Sequence, residues 1–262
     1  MIALVRPPGD AFARAISRHP ERDRIDPARA RLQHAAYCRL VEEAGVTLVE
    51  LPASEEHPDA CFTQDAAIVL ARHDEVVALI TRFGAPARHG EEVDVERALL
   101  PALPAGATLR QVEAPATIEG GDILVFGHRI AVGRSRRTNE AGIGVLRAVA
   151  APLGYTVEPV DVPAWALHLS TSATVVGDEF VIGDPSVVVQ APFRGLEAIP
   201  VPADQRLACN VWSDGRFVIA AGRQLIHAEL ERRGYDVHPT DLSEFNRADG
   251  SPTCLSLLVP AL

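Results

Sequence analysis

Lysine is absent from this chain: the 25 residues counted as Lys or Arg are all arginine. That excludes a Schiff-base lysine, a pyridoxal phosphate anchor and the lysine of a phosphate-binding P-loop. Cysteine is scarce as well. Cys38, Cys61, Cys209 and Cys254 show no CxxC spacing, so neither a zinc cage nor a disulfide framework is indicated. No apolar run approaches the ~18 residues of a membrane span, and MIALVRPPGD lacks the longer hydrophobic stretch of a secretion signal. A reduced, cytoplasmic setting without membrane association is therefore expected. An excess of positive charge is missing too. The formal net charge of -10 argues against a nucleic-acid surface and suits a cationic small molecule. With 47% of its 262 residues apolar, the chain can bury a full core, and 1–262 reads as one domain.

What is present is a repeat of pattern rather than of letters. A strand ending near proline is followed by a hairpin with a polar turn, then by a helix. The strands are VTLVELP at 46–52, TLRQVEAP at 108–115, TVEPVDVP at 156–163, AIPVPA at 198–203 and DVHPTDLS at 236–243. Their hairpins are AAIVLARHDEVVALITR, DILVFGHRIAVGR, SATVVGDEFVIGD and NVWSDGRFVIAAG, each with apolar runs flanking a turn rich in Gly, Asp, His or Arg. A fifth hairpin would pair 254–260 with 1–7 and join the two ends. Helices are expected from Asp26–Pro27 to Gly45, over about 91–100, from Thr138 to Pro152, and over 223–233. The third unit, with SVVVQAPFRGLE, offers no convincing helix. The predicted architecture is an α/β propeller of five blades about a pseudo-fivefold axis.

Equivalent positions of a circular repeat converge on its axis. Between strand and hairpin lie Asp59 to Asp65, Glu119 to Asp122, His168, Asn210 and Cys254. Cysteine at the start of an apolar strand is commonly a small buried hydrophobe, and a lone histidine is commonly structural. A thiol, an imidazole and a carboxylate at one mouth are better explained as nucleophilic catalysis. Gly120 and Gly121 after Glu119 would let a planar ligand approach the backbone. Asp59 and Asp65 frame PDACFTQD. Carboxylates gathered there need a cation, and without metal-ligand spacing a guanidinium is the better fit. Arg88 and Arg137 would stand at the rim, where they could hold an amino acid's carboxylate. No metal and no cofactor is expected.

At these residues the chain resembles the dimethylarginine dimethylaminohydrolase family of the guanidine-modifying pentein superfamily. The resemblance runs through LVR, PDACFTQDAAIV, ITRFGAPAR, IEGGDILVFGHRIAVGRSRRTN, LHLST and TCLSLL, covering nearly the whole chain. It implies a five-bladed α/β propeller that hydrolyses Nω-methylated L-arginine to L-citrulline and a methylamine through a covalent cysteine thiouronium. It implies further that Cys254 is the nucleophile, His168 the acid-base and Glu119 its carboxylate partner. Asp65 with Glu119 would hold the guanidinium, Asp59 would lie near the α-amino group, and Arg88 and Arg137 would bind the carboxylate. The segment Arg14 to His19 would match the family's lid. One position departs from the pattern: Gln64 stands where the family commonly has an acid, which would alter the binding of the cationic head.

Two other readings compete. A deiminase-like hydrolase of free arginine or another guanidine would use the same residues, although arginine deiminases usually carry an added helical region. A non-catalytic pentein binding module, like the ribosome anti-association factor, would not need Cys254, His168 and Glu119 together. A homodimer is the assembly left open.

Overall fold

The computed structural model describes residues 1–223 and 225–260. In chain order, β1 (Ile2–Val5) leads to α1 (Pro27–Glu43) and β2 (Thr47–Glu50). The hairpin β3 (Ala67–Arg72) and β4 (Glu75–Ile80) leads through α2 (Glu91–Leu99) to β5 (Thr108–Gln111). The next hairpin, β6 (Ile123–Phe126) and β7 (Arg129–Arg134), leads through α3 (Glu140–Ala150) to β8 (Thr156–Asp161). After the short α4 (Leu169–Ser172), β9 (Ala173–Val176) and β10 (Phe180–Gly183) lead through α5 (Pro185–Val188) to β11 (Glu197–Pro200). Last come β12 (Val211–Ser213), β13 (Phe217–Ala221), α6 (Leu225–Arg232), β14 (Asp236–Thr240), α7 (Ser243–Arg247) and β15 (Ser256–Val259).

These strands form five three-stranded sheets: β15-β1-β2, β3-β4-β5, β6-β7-β8, β9-β10-β11 and β12-β13-β14. Each is an antiparallel hairpin whose second strand also pairs, in parallel, with the strand that returns after the helix. Parallel neighbours need a long crossover, which the helix supplies. The expected five-bladed propeller is present, and the termini do share a hairpin, with Ile2 opposite Val259 and Val5 opposite Ser256. The phase of the repeat is corrected. The sequence reading grouped each proline-rich strand with the hairpin after it, but the crossover returns it to the hairpin before it. Thus 108–111 joins β4 and 156–161 joins β7. These returning strands are sheet edges, which is why β8, β11 and β14 tolerate Pro159, Pro200 and Pro239.

The helices follow their local signals. Asp26 caps α1 by accepting from the amides of Ala28 (2.9 Å) and Arg29 (3.3 Å), and Gly45 ends it at a φ of +82°. Asn139 caps α3 through the Gly142 amide. The helix expected over 223–233 is α6, although residue 224 lies outside the described residues. The third unit has only the four-residue α5, as its sequence suggested.

What positions the site is a feature repeated in all five units. Each hairpin-opening strand is preceded by a tight helical turn: Thr63–Ala66, Gly120–Asp122, α4, Ala203–Cys209 and Pro252–Leu255. The strands themselves, β3, β6, β9, β12 and β15, all contribute to the wall of one axial cavity of about 270 Å³. The turns lie at its end and form a closed ring.

Two glycines of α3 separate packing from helix propensity. A Cβ on Gly142 would lie 2.1 Å from the Thr117 carbonyl oxygen, whereas one on the exposed Gly144 would meet nothing within 4 Å. Gly144→Ala should therefore stabilise the protein by roughly 0.5–1 kcal/mol. Gly142→Ala should destabilise it by roughly 1–3 kcal/mol. Denaturant unfolding of the two variants checks both signs.

Candidate active site

The five turns are pinned to one another by buried polar groups. Asp65 Oδ1 accepts from the Gly121 amide at 3.1 Å, and Asp122 Oδ1 accepts from the Leu169 amide at 2.9 Å. Asn210 donates to the Ser170 carbonyl and to Thr253 Oγ1, both at 2.8 Å, and accepts from the Thr253 amide at 3.2 Å. Asp122 is fully buried and is also held by the hydroxyls of Ser135 (2.6 Å) and Thr138 (2.7 Å). The turn that carries His168 is thereby fixed to the turn that carries Glu119.

Cys254, His168, Asp65, Asp59, Arg88 and Arg137 line one small cavity on the axis, closed on its outer side by Ile16, Leu167 and the segment 248–250. Glu119 lies directly behind it at 0% exposure. His168 Nε2 donates to Glu119 Oε2 at 2.7 Å, and His168 Nδ1 is 3.9 Å from Asp65 Oδ1. Glu119 Oε1 accepts from the Gly84 amide at 2.9 Å, and Arg137 Nη1 lies 3.3 and 3.4 Å from its two oxygens. Burial opposes charge on His168, but Asp65, Glu119 and Asp122 outweigh it and push its pKa up to about 9. Burial alone would raise Glu119. The His168 contact, with Arg88 and Arg137, instead holds it well below the usual carboxylate range. Burial, with Asp65 adding to it, pushes the Cys254 thiol up to about 12. At neutral pH these shifts favour the imidazolium and the neutral thiol.

The family model described as N,N dimethylarginine dimethylhydrolase, eukaryotic, matches residues 7–194. The chain is 35% identical over 256 residues to the N(G),N(G)-dimethylarginine dimethylaminohydrolase of Streptomyces coelicolor, covering 97% of this chain and 95% of that protein. The chain belongs to the dimethylarginine dimethylaminohydrolase family. Among solved members, a histidine-to-glycine variant in adduct with S-methyl-L-thiocitrulline superposes with a TM-score of 0.89 at 28% identity, covering 98% of each chain. A cysteine-to-serine variant from Pseudomonas aeruginosa, complexed with citrulline, gives a TM-score of 0.89 at 27% identity and the same coverage.

Against this family background, two residues stand elsewhere than the sequence reading put them. Arg88 is not at the rim. It is 2% exposed, with Nη1 donating to Asp65 Oδ2 at 2.7 Å, Nε and Nη2 donating to Glu91 Oε2 at 3.0 and 2.8 Å, and Nη1 lying 3.7 Å from Glu119 Oε2. A guanidinium so surrounded has little left to offer a carboxylate outside. Gln64 does not line the Cys254 cavity. It lines the axial cavity on the other side of the ring, with Gly120 and Thr253, because successive residues of a 3₁₀ turn point about 120° apart and Asp65 takes the direction of the site. Asp59 does line the site, but both its oxygens accept from the Ile16 amide at 3.2 Å. The 14–19 segment is tied further by Ser17 Oγ, which donates to the Arg247 carbonyl (2.8 Å) and to Asp249 (3.0 Å).

Two residues were missed by sequence reasoning. Glu91, at 4% exposure, anchors Arg88 and has its pKa pushed up to about 7 by burial against the pull of Arg88. Asp122 fixes the His168 turn. Neither carries a signal beyond being an acid near a glycine. Asp65, Glu119 and His168 also bring ligand atoms within 4.8 Å of one another. Arg88 and Arg137 already neutralise that trio, so a metal ion would meet two guanidinium charges.

Because the folded-state pKa of His168 lies above the 6.5 of an unperturbed imidazole, the charged pair with Glu119 stabilises fully below that value. Its contribution is lost as pH rises through about 9. Unfolding free energy should therefore fall more steeply between these pH values in the wild type than in His168→Gln. Equal slopes in urea titrations would rule out a charged pair.

Proposed function

We propose that the chain hydrolyses Nω-methylated L-arginine to L-citrulline and a methylamine, with Cys254 as nucleophile, His168 as acid-base and Glu119 as its partner. The observation that carries this reading is the guanidinium already seated in the cavity, that of Arg88. It lies against Asp65 and Glu91 and close to Glu119, beside the buried thiol and the imidazolium. A pocket that stabilises one guanidinium there is chemically suited to another. The free volume in the empty cavity is about 10 Å³, that of a single water, so substrate entry shifts Arg88 or the 14–19 segment.

The proton positions set the order of events. A substrate cation against Asp65 cancels the negative field that raises the Cys254 thiol, and the thiol releases its proton to solvent, His168 being protonated already. The thiolate then forms a C–S bond to the central guanidine carbon. His168, already protonated, passes its proton to the departing nitrogen as the C–N bond breaks, and the methylamine leaves. The neutral imidazole takes a proton from water as the hydroxyl adds to the thiouronium carbon. Collapse returns the C–S electron pair to sulfur, and the new carbonyl passes its proton to that thiolate, giving L-citrulline and restoring the Cys254 thiol. Glu119 keeps the ring oriented and stabilises its charged form throughout. Each proton transfer contributes ~10²–10⁴-fold.

No helix among the described residues is long and apolar enough to cross a membrane. A reducing, cytoplasmic setting is supported by Cys38, Cys61, Cys209 and Cys254, all free and buried. A homodimer remains an expectation that sedimentation would test.

Cys254→Ser should retain under ~1% of wild-type citrulline release while still binding substrate, since the alcohol is far less acidic. Methylamine and citrulline should appear in equal amounts from dimethylarginine, and faster than ammonia and citrulline from free arginine. A preference for free arginine would place the chain with the deiminases. Thiolate absorbance, read as wild type minus Cys254→Ser, should be absent at neutral pH in the empty protein. It should appear when a guanidinium ligand that is not hydrolysed binds. Thiolate present without ligand would overturn the proposed order of proton release.

A further inference from the structure

Ser251, Pro252 and Thr253 lead straight into Cys254, and Asn210 clamps this short turn from one side. The clamp fixes more than position. Ser170 offers a carbonyl, which can only accept, and Thr253 offers a backbone amide, which can only donate. Asn210 meets the first at 2.8 Å and the second at 3.2 Å, so its Nδ2 faces Ser170 and its Oδ1 faces the Thr253 amide. Flipping the Asn210 amide would lose both bonds. The same Nδ2 lies 2.8 Å from Thr253 Oγ1, which therefore accepts, and the hydroxyl keeps its own hydrogen for another partner.

Among the described residues no oxygen or nitrogen takes that hydrogen. Gln64 shares the axial cavity with Thr253, but its side-chain oxygen is unpartnered and so is not the acceptor. What the hydroxyl does meet is the sulfur of Cys254, and the Ser251 amide donates to the same atom. Burial and Asp65 hold the sulfur toward its neutral form, while these two donors and the Arg88 charge pull the other way. A neutral thiol gains little from a hydroxyl donor. A thiolate gains much more, because the bond becomes charge-assisted. The contact is therefore strongest once the proton has left, and again when the C–S bond breaks and charge returns to sulfur.

We propose that the Thr253 hydroxyl, aimed by Asn210, is the hydrogen-bond donor that stabilises the Cys254 thiolate. Thr253 is then a catalytic residue and Asn210 a positioning residue. The role rests on the hydrolase reading above, in which Cys254 is the nucleophile. Thr253 does not line the cavity that holds Asp65, Arg88 and His168, so it serves the sulfur and not the substrate. Ser170 stands two residues after His168, so the residue that aims the donor also ties the thiol's turn to that of the acid-base.

The test compares two pairs that differ by the hydroxyl alone: wild type with Thr253→Val, and Thr253→Ser with Thr253→Ala. If one member fails to fold, the other pair decides. Iodoacetamide alkylation of Cys254, located by peptide mass, reads the thiolate without any substrate. Loss of a charge-assisted donor should lower the thiolate fraction by about ten- to hundredfold. A more basic sulfur is also a better nucleophile, which returns roughly half of that on a logarithmic scale. At mildly alkaline pH, alkylation should therefore be about three- to tenfold slower in Thr253→Val than in wild type, and in Thr253→Ala than in Thr253→Ser. Citrulline release should fall within the same pairs through kcat. Dimethylarginine affinity, measured in a Cys254→Ser background, should be unchanged by Thr253→Val. Equal alkylation within the pairs would mean that the hydroxyl turns its hydrogen into the axial cavity. Thr253→Ser as slow as Thr253→Ala would mean that packing of the methyl group matters instead; either result overturns the proposal. If alkylation follows the hydroxyl but the wild type releases no citrulline from dimethylarginine, the hydrolase reading fails and the thiolate donor stands. If citrulline is released and alkylation ignores the hydroxyl, the donor fails and the hydrolase reading stands.

Discussion

The structure depends on a ring of buried hydrogen bonds that ties each blade to the next where the five turns meet. One unit of a circular repeat cannot bury its hydrophobic face alone, so the blades have to be fixed to their neighbours. Asp65 and Asp122 do this by accepting backbone amides from the following unit, and Asn210 does it by bridging α4 to the turn before β15. The cost of burying each carboxylate is offset by several donors around it. The groups that shape the reactive centre are therefore also the groups that close the propeller. Substituting them disturbs assembly and chemistry together, which is why ligand-selective measurements carry more weight here than loss of activity.

Charge is balanced inside the ring before any substrate arrives. Asp65, Glu119 and Glu91 surround Arg88, while Arg137 and His168 share Glu119. A cluster of acids left alone at such depth would take up protons, and Glu91, with its pKa pushed up to about 7, shows that tendency. The arginines keep the innermost acids ionised, so an incoming cation competes with an existing partner instead of meeting bare charge. On the proposed reading, selectivity then depends on exchange between two guanidinium groups, and exchange is sensitive to small differences in shape. Burial and the nearby Asp65 push the Cys254 thiol up to about 12, away from the thiolate form that oxidises most readily.

Much of this was legible in the residues. The hairpins were readable because Gly, Asp and His mark their turns, as at His73 and Asp74, both with positive φ. The closure of 254–260 on 1–7 was readable because one strand was left without a partner at each end. The convergence of Asp65, Glu119, His168 and Cys254 followed from circular symmetry. The phase of the repeat was not readable, since a proline-bearing strand looks the same whether it opens one sheet or closes another. The direction of Gln64 was hidden because a helical turn between strands has no period of its own. The depth of Arg88 was hidden for another reason: a long side chain can reach inward as easily as outward, and it is the inward placement of Asp65 and Glu91 that decides it.

The pairing of β15 with β1 has a consequence for how the chain acquires its shape. β1 must wait for β15, since Ile2 finds Val259 only after the segments of the four other sheets have been made. Until then β1 is covered on one side by β2 and presents an open edge on the other, the kind of edge that recruits other chains. Four blades can form from local segments during synthesis, but the first cannot, and ring closure is the contact of longest range. Moving the chain's ends to the turn between β3 and β4 would make the first sheet contiguous in sequence. It would transfer the waiting strand to the second sheet, leaving the ring of turns unchanged.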